Sequence, residues 1–499
     1  MKNIRDFLSV ILRLEGLFMV VPLLISLFCG ERAAARGFAL SLVIIVCVSF
    51  MLSGFRFRFL REGQVYRREG FLLVALSWVM LSVFGALPMW LSGASDSYYT
   101  ALFESISAFT TTAASTIPDM AALPRGLLFW NCFSQWIGGM GVLLLLVALT
   151  PRVPSGDNYN LLRAELPGHT VGRVVPKLGQ NAKLLYAIYG GMTLTEALLL
   201  LAGGIPLFDS VATALVTAGT GGFSIRSGSL GAHDSLYMEI VVIVFMILFS
   251  VNFSVHYCIL TRNWAEVKAN DELKWYLSIL GIATILVACN LARTATHAHW
   301  GESLYHAFFQ VTSMASSTGF SLVDFNVWPQ FSKAVLLLVG IMGACVGSTG
   351  GGLKIFRVVI LLREMRRRLY RLYHPRAVEV ITLDGEPVDR NAIHNINTYV
   401  LTLLAIYAGS LLVVALDGLD FETTFSAVSA CLNNVGTGFG SVAADGGYRV
   451  FSPLSRLVLM ANMFLGRLEI YPVLLLFSAR TWRAQSQRHP TQAQKDRPQ

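Results

Sequence analysis

Apolar residues run along this chain in long stretches parted by short polar ones, a pattern of membrane-crossing helices rather than of a water-soluble core. Runs long enough to span a bilayer fall at 8–29, 36–55, 71–93, 127–149, 184–204, 236–260, 275–292, 334–362, 397–416 and 454–478, which predicts ten crossings. Between them lie four shorter stretches, Phe103–Ile117, Phe208–Ile225, Phe308–Val323 and Phe421–Val442, that end in Gly, Thr, Ser or Asn rather than in charge. Each holds about 10–14 apolar residues, too few to cross about 30 Å of hydrocarbon, so they are expected to dip in as half-helices and return.

The four stretches share an order: an aromatic residue, an acidic or polar one, a short amphipathic helix, then a small-residue turn. Phe103-Glu104 leads to Thr110-Thr111-Thr112-Ala113, and Phe208-Asp209 to Gly219-Thr220-Gly221-Gly222-Phe223. Phe309-Gln310 leads to Ser316-Ser317-Thr318-Gly319-Phe320, and Phe425-Ser426 to Asn433-Asn434-Val435-Gly436-Thr437-Gly438. Such internal repetition predicts equivalent places in one architecture. Irregular backbone at membrane depth is tolerated only where protein buries it or it lines a water-filled path. Four such turns around one axis would offer carbonyl oxygens in place of an ion's hydration shell, and glycine lets the backbone adopt the required φ > 0. The expected convergence is of Thr112-Ala113, Thr220-Gly221, Thr318-Gly319 and Val435-Gly436. The plainer reading, that these glycines serve close helix packing, suits one isolated Gly better than four at equivalent points.

Composition agrees with a bilayer protein: 54% of the 499 residues are hydrophobic, 14% are charged, and the mean hydropathy is +0.58. The formal charge of +9 raises the question of nucleic acid, but its distribution answers otherwise. Arg56, Arg58, Arg61, Arg67 and Arg68 form one cluster, and Arg152, Arg163, Arg173, Lys177 and Lys183 a second. Arg357, Arg363, Arg366, Arg367, Arg368, Arg371 and Arg376 form the largest. All fall on the same side of the alternating spans, which the positive-inside rule makes cytoplasmic together with both termini. The opposite side carries acids that would concentrate cations at an outer mouth, among them Asp96, Glu104, Asp119, Asp209, Asp234, Glu302, Asp324, Asp417, Asp420, Glu422 and Asp445. The seven cysteines are scattered singly and read as packing residues.

Two features stand out inside the apolar runs. The eighth contains Gly340, Gly343, Gly347, Gly350, Gly351 and Gly352, so it is expected to break. A phosphate-binding loop there fails on spacing, because Leu353 separates Gly352 from Lys354 and no Ser or Thr follows. Arg467 sits midway along the last run, where a charge costs about 2.5–3.5 kcal/mol on insertion scales and normally faces an interior or a water path. An interhelical structural charge pair is the alternative reading of Arg467. A polytopic membrane enzyme is the distant alternative for the whole chain; no HExxH or GxSxG occurs, and His233, His256, His297 and His299 lack metal-ligand spacing on one helix.

Several motifs together resemble the Trk/Ktr/HKT superfamily of potassium transporters, and within it the TrkH and TrkG subunits. They are Phe109-Thr-Thr-Thr112, Gly221-Gly222-Phe223-Ser224, Phe308-Phe309-Gln310 with Ser317-Thr318-Gly319-Phe320, and Leu432-Asn433-Asn434-Val435-Gly436. Gly347-Ser348-Thr349-Gly350-Gly351-Gly352-Leu353-Lys354 and Gly466-Arg467-Leu468-Glu469 complete the set, and the likeness covers nearly the whole chain.

The resemblance implies an all-α integral membrane protein with two N-terminal helices (1–60) and four M1-P-M2 repeats (61–183, 184–272, 273–390 and 391–499) forming a pseudo-four-fold pore. It implies potassium uptake across the bacterial inner membrane and no enzymatic activity. The selectivity filter would comprise Thr111, Thr112, Ala113, Thr220, Gly221, Gly222, Thr318, Gly319, Asn434, Val435 and Gly436, with potassium at their carbonyls as the transported ion and no cofactor. Gly347, Gly350, Gly351, Gly352, Lys354 and Arg467 would gate the path. The implied partners are a second copy of the chain, a cytosolic nucleotide-binding TrkA-like regulatory subunit and membrane lipid, with no nucleic acid. Ala113 departs from the glycine usual in the first filter turn. Relatives with a non-Gly residue there resemble sodium transporters, so a sodium or mixed sodium/potassium transporter of the same fold is the close alternative.

Overall fold

A computed structural model describes residues 2–53, 67–141 and 178–477, except Ser227, Ala295, His297, Ala298, Val378, Ala444 and Asp445. The basic residues Arg56, Arg58, Arg61, Arg152, Arg163, Arg173 and Lys177, and the acid Asp445, lie outside the described residues.

The described chain is helical throughout, apart from one two-stranded hairpin, Thr382–Leu383 with Glu386–Pro387. Six helices are long and apolar enough to cross a bilayer: Arg5–Phe28, Arg32–Ser53, Gly70–Leu91, Lys183–Ala202, Asp271–Arg293 and Arg390–Asp417. Most of them leave many apolar side chains on the outer surface, such as Leu40, Leu198, Ile282 and Leu404, as a lipid-facing helix should, while Gly70–Leu91 is largely buried. The chain is therefore a multi-pass membrane protein.

Among the described residues three of the ten apolar runs are broken, and of these only the eighth was expected to break. The run 236–260 is two helices, Leu236–Ser250 and Phe253–Leu260, bent by 101°. The run 334–362 breaks, as its glycines predict, into Gln330–Met342 and Ile355–Tyr373 with an irregular loop between. The last run breaks at Leu468–Ile470, between Pro453–Arg467 and Tyr471–Phe477. The run 127–149 is described only as the helix Arg125–Met140. Hydropathy does not register these breaks because it averages their few polar residues, such as Asn252, Lys354 and Glu469, with apolar and small neighbours.

Inside the bundle stand four short helices: Tyr98–Phe109, Leu207–Gly219, Trp300–Ala315 and Phe421–Leu432. They begin at polar or proline residues suited to helix starts: Ser97 and Asp420 accept hydrogen bonds from Thr100 N–H and Thr423 N–H, and Pro206 precedes Leu207. Most of their residues are buried on all sides, so they are packed within protein rather than laid against lipid. The N-terminal pair Lys2–Phe28 and Arg32–Ser53 shares one apolar core with the first short helix, through Leu12, Met19, Phe38, Trp78 and Phe109.

Candidate ion-coordination site

Each short helix ends in the same way. The N–H groups of Thr112, Gly221, Thr318 and Val435 donate to carbonyls five residues back, those of Ser107, Val216, Ser313 and Ala430, at 2.8–3.0 Å. This is the Schellman closure, which requires a left-handed residue just past the helix. Here that residue is Thr111 (φ 56°), Thr220 (φ 53°), Ser317 (φ 56°) or Asn434 (φ 53°), never glycine. Two residues later φ is positive again, at Ala113 (59°), Gly222 (69°), Gly319 (82°) and Gly436 (80°). Positive φ thus recurs at alternate residues in every turn. Sequence reading placed Thr111, Thr220 and Asn434 in the filter but credited positive φ to glycine, and it left out Ser317; the signal was a Thr, Ser or Asn at one place in every repeat.

This register corrects two alignments. Gly222, not Gly221, is the counterpart of Ala113, Gly319 and Gly436, so the converging pair in the second repeat is Gly221-Gly222 rather than Thr220-Gly221. The aromatic–acid pairs do not correspond either. Glu104 precedes Thr111 by the same interval as Gln310 precedes Ser317, whereas Asp209 lies a helical turn earlier, beside Arg226 at 2.6 Å.

The turns meet one another in a fixed order. A Cβ placed on Gly222 would fall under 3.0 Å from the carbonyl oxygen of Thr318, one on Gly319 likewise from Val435, and one on Gly436 likewise from Thr112. Third-position glycine in one turn is thus pressed against the second-position carbonyl of the next, from turn two to three to four to one. Asn434 Nδ2 adds a link from turn four to turn one, donating to Thr112 Oγ1 at 2.9 Å. Among the described residues no protein group donates to the carbonyls of Thr112, Gly221, Thr318 or Val435. The short helices direct their C-terminal, partially negative ends at this ring. Unpaired carbonyls and helix ends together favour a bare cation.

Above the ring opens a cavity lined by Ala113, Gly222, Gly319, Gly436, Thr437 and Tyr448. Many of the acids expected to charge its rim have local duties instead. Asp119 and Asp324 accept from nearby N–H groups, Glu422 pairs with Lys333 at 2.7 Å, and Glu104 is buried against Thr116. Asp420 accepts from Thr423 N–H at 2.8 Å, which holds its carboxyl below the usual range and keeps it anionic.

Below the ring lies a second cavity, lined by Gly139, Gly347, Gly350, Gly351, Lys354 and Arg467. The loop between Met342 and Ile355 fills the space under the turns. Gly351 N–H donates to Ser317 Oγ at 2.6 Å, and a Cβ on Gly351 would collide with the Asn433 carbonyl. The loop is laced to the broken helix beside it, Cys345 N–H to Ser250 O at 3.1 Å and Phe253 N–H to Gly347 O at 3.0 Å. Glu272, at the start of a spanning helix, holds both ends: Oε1 accepts from Val346 N–H at 2.9 Å and Phe356 N–H at 3.2 Å. Sequence analysis did not single out Glu272; an acid at a helix start reads as an ordinary cap.

Arg467 is the last residue of its helix, not the middle of one. It donates to Thr349 O in the loop at 2.7 Å and to Gly138 O and Gly139 O at the end of Arg125–Met140. The charge pair nearby joins Glu469 to Arg357, whose guanidinium also lies 4.0 Å from the Tyr399 ring. Arg357 and Glu469 thus form an ion pair beside Arg467, and Arg467 itself donates to carbonyls beneath the ring.

A family model described as a cation transport protein, TrkH, matches residues 38–484. The Trk system potassium uptake protein TrkH of Escherichia coli K12 is 33% identical over 476 residues, covering 93% of this chain and 96% of its own. The potassium uptake protein TrkG of the same organism is 31% identical, covering 94% and 96%. The crystal structure of the potassium transporter TrkH from Vibrio parahaemolyticus superposes with a TM-score of 0.86 at 29% identity, covering 97% of this chain and 99% of that one. With the fold, the turns and these likenesses in agreement, the chain belongs to the TrkH family of cation transport proteins, a family of transporter subunits rather than enzymes.

Proposed function

We propose that this protein takes up potassium across a bacterial inner membrane, with the ring of four turns as its selectivity filter. The observation that carries the reading is the order of contacts from turn two to three to four to one, with carbonyls at Thr112, Gly221, Thr318 and Val435 to which no protein group donates among the described residues. Potassium shed of water needs several such oxygens at once. Thr111, Ala113, Thr220, Gly222, Gly319, Asn434 and Gly436 shape the backbone that presents them. The loop holding Gly347, Gly350, Gly351, Gly352 and Lys354, with Arg467, is the gate beneath. Its position under the ring and its hydrogen bonds to several neighbours support that role.

The name of the curated relatives, a Trk system, supports a multi-component assembly. In this reading two copies pair in the membrane, and a cytosolic nucleotide-binding partner of TrkA type docks on the basic side. There the helix Ile355–Tyr373 exposes Arg366 and Arg368. Both termini then lie in the cytoplasm.

A sodium or mixed sodium/potassium transporter is the second reading, favoured by one observation, the Cβ of Ala113 where the other turns have glycine. Reversal potentials of the purified protein in liposomes under opposed potassium and sodium gradients decide between the two. A potential following the potassium gradient is expected; one following sodium overturns the first reading, and absence of any cation current overturns both.

A further inference from the structure

The outermost carbonyls of the ring, those of Ala113, Gly222, Gly319 and Gly436, are not equivalent. Tyr448 is buried, and its hydroxyl donates to Gly436 O at 2.7 Å. Thr437 Oγ1 donates to Gly319 O at 3.2 Å. Both donors belong to the fourth repeat and both line the outer cavity. The residues following the third position in the other turns are Ala114, Phe223 and Phe320, none of which carries a hydroxyl. Tyr448 is itself fixed: its N–H donates to Ser115 O at 2.8 Å, tying the fourth repeat to the segment that leaves Ala113, and its ring lies 5.9 Å from those of Phe103 and Phe451.

An oxygen that accepts a hydrogen bond from a fixed hydroxyl has that lone pair and its orientation committed to the protein. An ion arriving at the outer level therefore meets two carbonyls, on Ala113 and Gly222, with no donor among the described residues, and two that each have one lone pair engaged. One level deeper, all four second-position carbonyls lack a protein donor among the described residues.

On the reading of the ring as a filter, we infer that Tyr448 and Thr437 are specificity-positioning residues that make the outer level a two-carbonyl site for a partly hydrated cation. Full dehydration is thereby deferred to the ring of Thr112, Gly221, Thr318 and Val435. Tyr448 acts through the Gly436 carbonyl and does not itself ligate the ion.

The test is Tyr448→Phe, which removes the hydroxyl and keeps the buried ring, measured as concentration-dependent potassium uptake and as reversal potential in liposomes. Freeing Gly436 O adds a ligand at the outer level, so the KM for external potassium should fall about 2- to 10-fold, the factor one hydrogen bond is worth, with maximal rate changed much less. Thr437→Val should move KM in the same direction by a smaller factor. A fall in maximal rate at unchanged KM in both variants would mark a merely structural role and overturn the inference. Gly319→Ala separates this from failure of the filter reading. If Gly319→Ala alters potassium/sodium discrimination while neither hydroxyl variant moves KM, the inference falls and the filter stands. If Gly319→Ala folds, inserts and leaves discrimination unchanged, the filter reading falls and the inference with it.

Discussion

The ring of turns and the loop beneath it are both irregular backbone buried in the same bundle, yet they are held by different means. In the ring, like meets like: each turn closes with the same helix cap, and in three of the four a glycine fits against a carbonyl of the next. The loop has no such repetition. It hangs from single side chains of unrelated origin, Ser317 from a turn, Glu272 from a spanning helix and Arg467 from the last helix of the core. Steric closure tolerates no partial loosening, because an atom either fits against a carbonyl or displaces it. Separate hydrogen bonds, each worth about 1 kcal/mol net, can be given up one at a time. The contrast suits a rigid filter over a movable gate.

The sharpest way to break the comparison is at the ring. Gly222→Ala would place a Cβ under 3.0 Å from the Thr318 carbonyl, at a φ that disfavours side chains. The overlap should cost about 1–3 kcal/mol and spread to turn three. Potassium uptake should fall more than tenfold in a variant that still inserts at wild-type levels. Near-normal uptake would mean that steric closure does not govern the ring.

Next in size is the loop's cationic tether. Arg467→Ala removes three hydrogen bonds to carbonyls and the positive charge under the ring. Charge-assisted bonds are worth about 1.5–3 kcal/mol each, so flux through liposomes without any regulatory subunit should rise about tenfold. Unchanged flux in a folded protein would make Arg467 a strut between helices rather than part of the gate.

A smaller effect is expected at Glu272, which lies near the Lys354 charge and accepts from Val346 N–H in the loop and Phe356 N–H at the start of the next helix. Glu272→Gln keeps an acceptor for Val346 and Phe356 but removes the charge, and Glu272→Ala removes both. Basal flux should rise about twofold for Gln and several-fold for Ala, in line with weakening and then losing bonds of about 1 kcal/mol. Equal effects of the two would assign the role to charge alone.

Much of the ring was legible in the sequence, because four copies of a pattern carry information that one copy lacks. Length separated half-helices from spans, and the order of polar and small residues located every turn. The register was less legible. Gly221 and Gly222 are indistinguishable by type, and only φ decides which answers to Ala113. The loop was visible as a break because its glycines weaken a helix, but its holders were not. Glu272 lies far from the loop in sequence, and the acceptors of Arg467 are backbone carbonyls, which every residue has. The bend at Val251–Asn252 was hidden for a related reason: hydropathy counts apolar residues and is blind to which N–H groups the neighbouring loop has taken.

The smallest expected effect tests the one corner where the ring departs from its own rule. Ala113 has φ 59°, so its backbone adopts the left-handed conformation that the glycines adopt, at a cost of about 1–2 kcal/mol for a residue with a Cβ. The possibility that Ala113 escapes the requirement with an ordinary φ is thereby removed. What holds it is bracing from both sides: Glu104 Oε1 accepts from Thr116 N–H at 2.6 Å and Thr116 Oγ1 at 2.7 Å, and Tyr448 N–H grips Ser115 O at 2.8 Å. The order of contacts around the ring places Ala113 at the corner facing turn two, the counterpart of positions where an added Cβ meets a carbonyl. On the proposed filter reading, a methyl there is expected to crowd that corner and weaken one of four ligands, so that sodium, which carries water with it, is rejected less well. Ala113→Gly should relieve both the strain and the crowding and raise the potassium-to-sodium permeability ratio several-fold, given that ~1 kcal/mol is about a fivefold factor. Expression and insertion should not change, because the braces at Glu104 and Tyr448 remain. Bi-ionic reversal potentials of wild type and variant measure the shift directly, and identical values would mean that the braces, not the residue at 113, set the geometry of that corner.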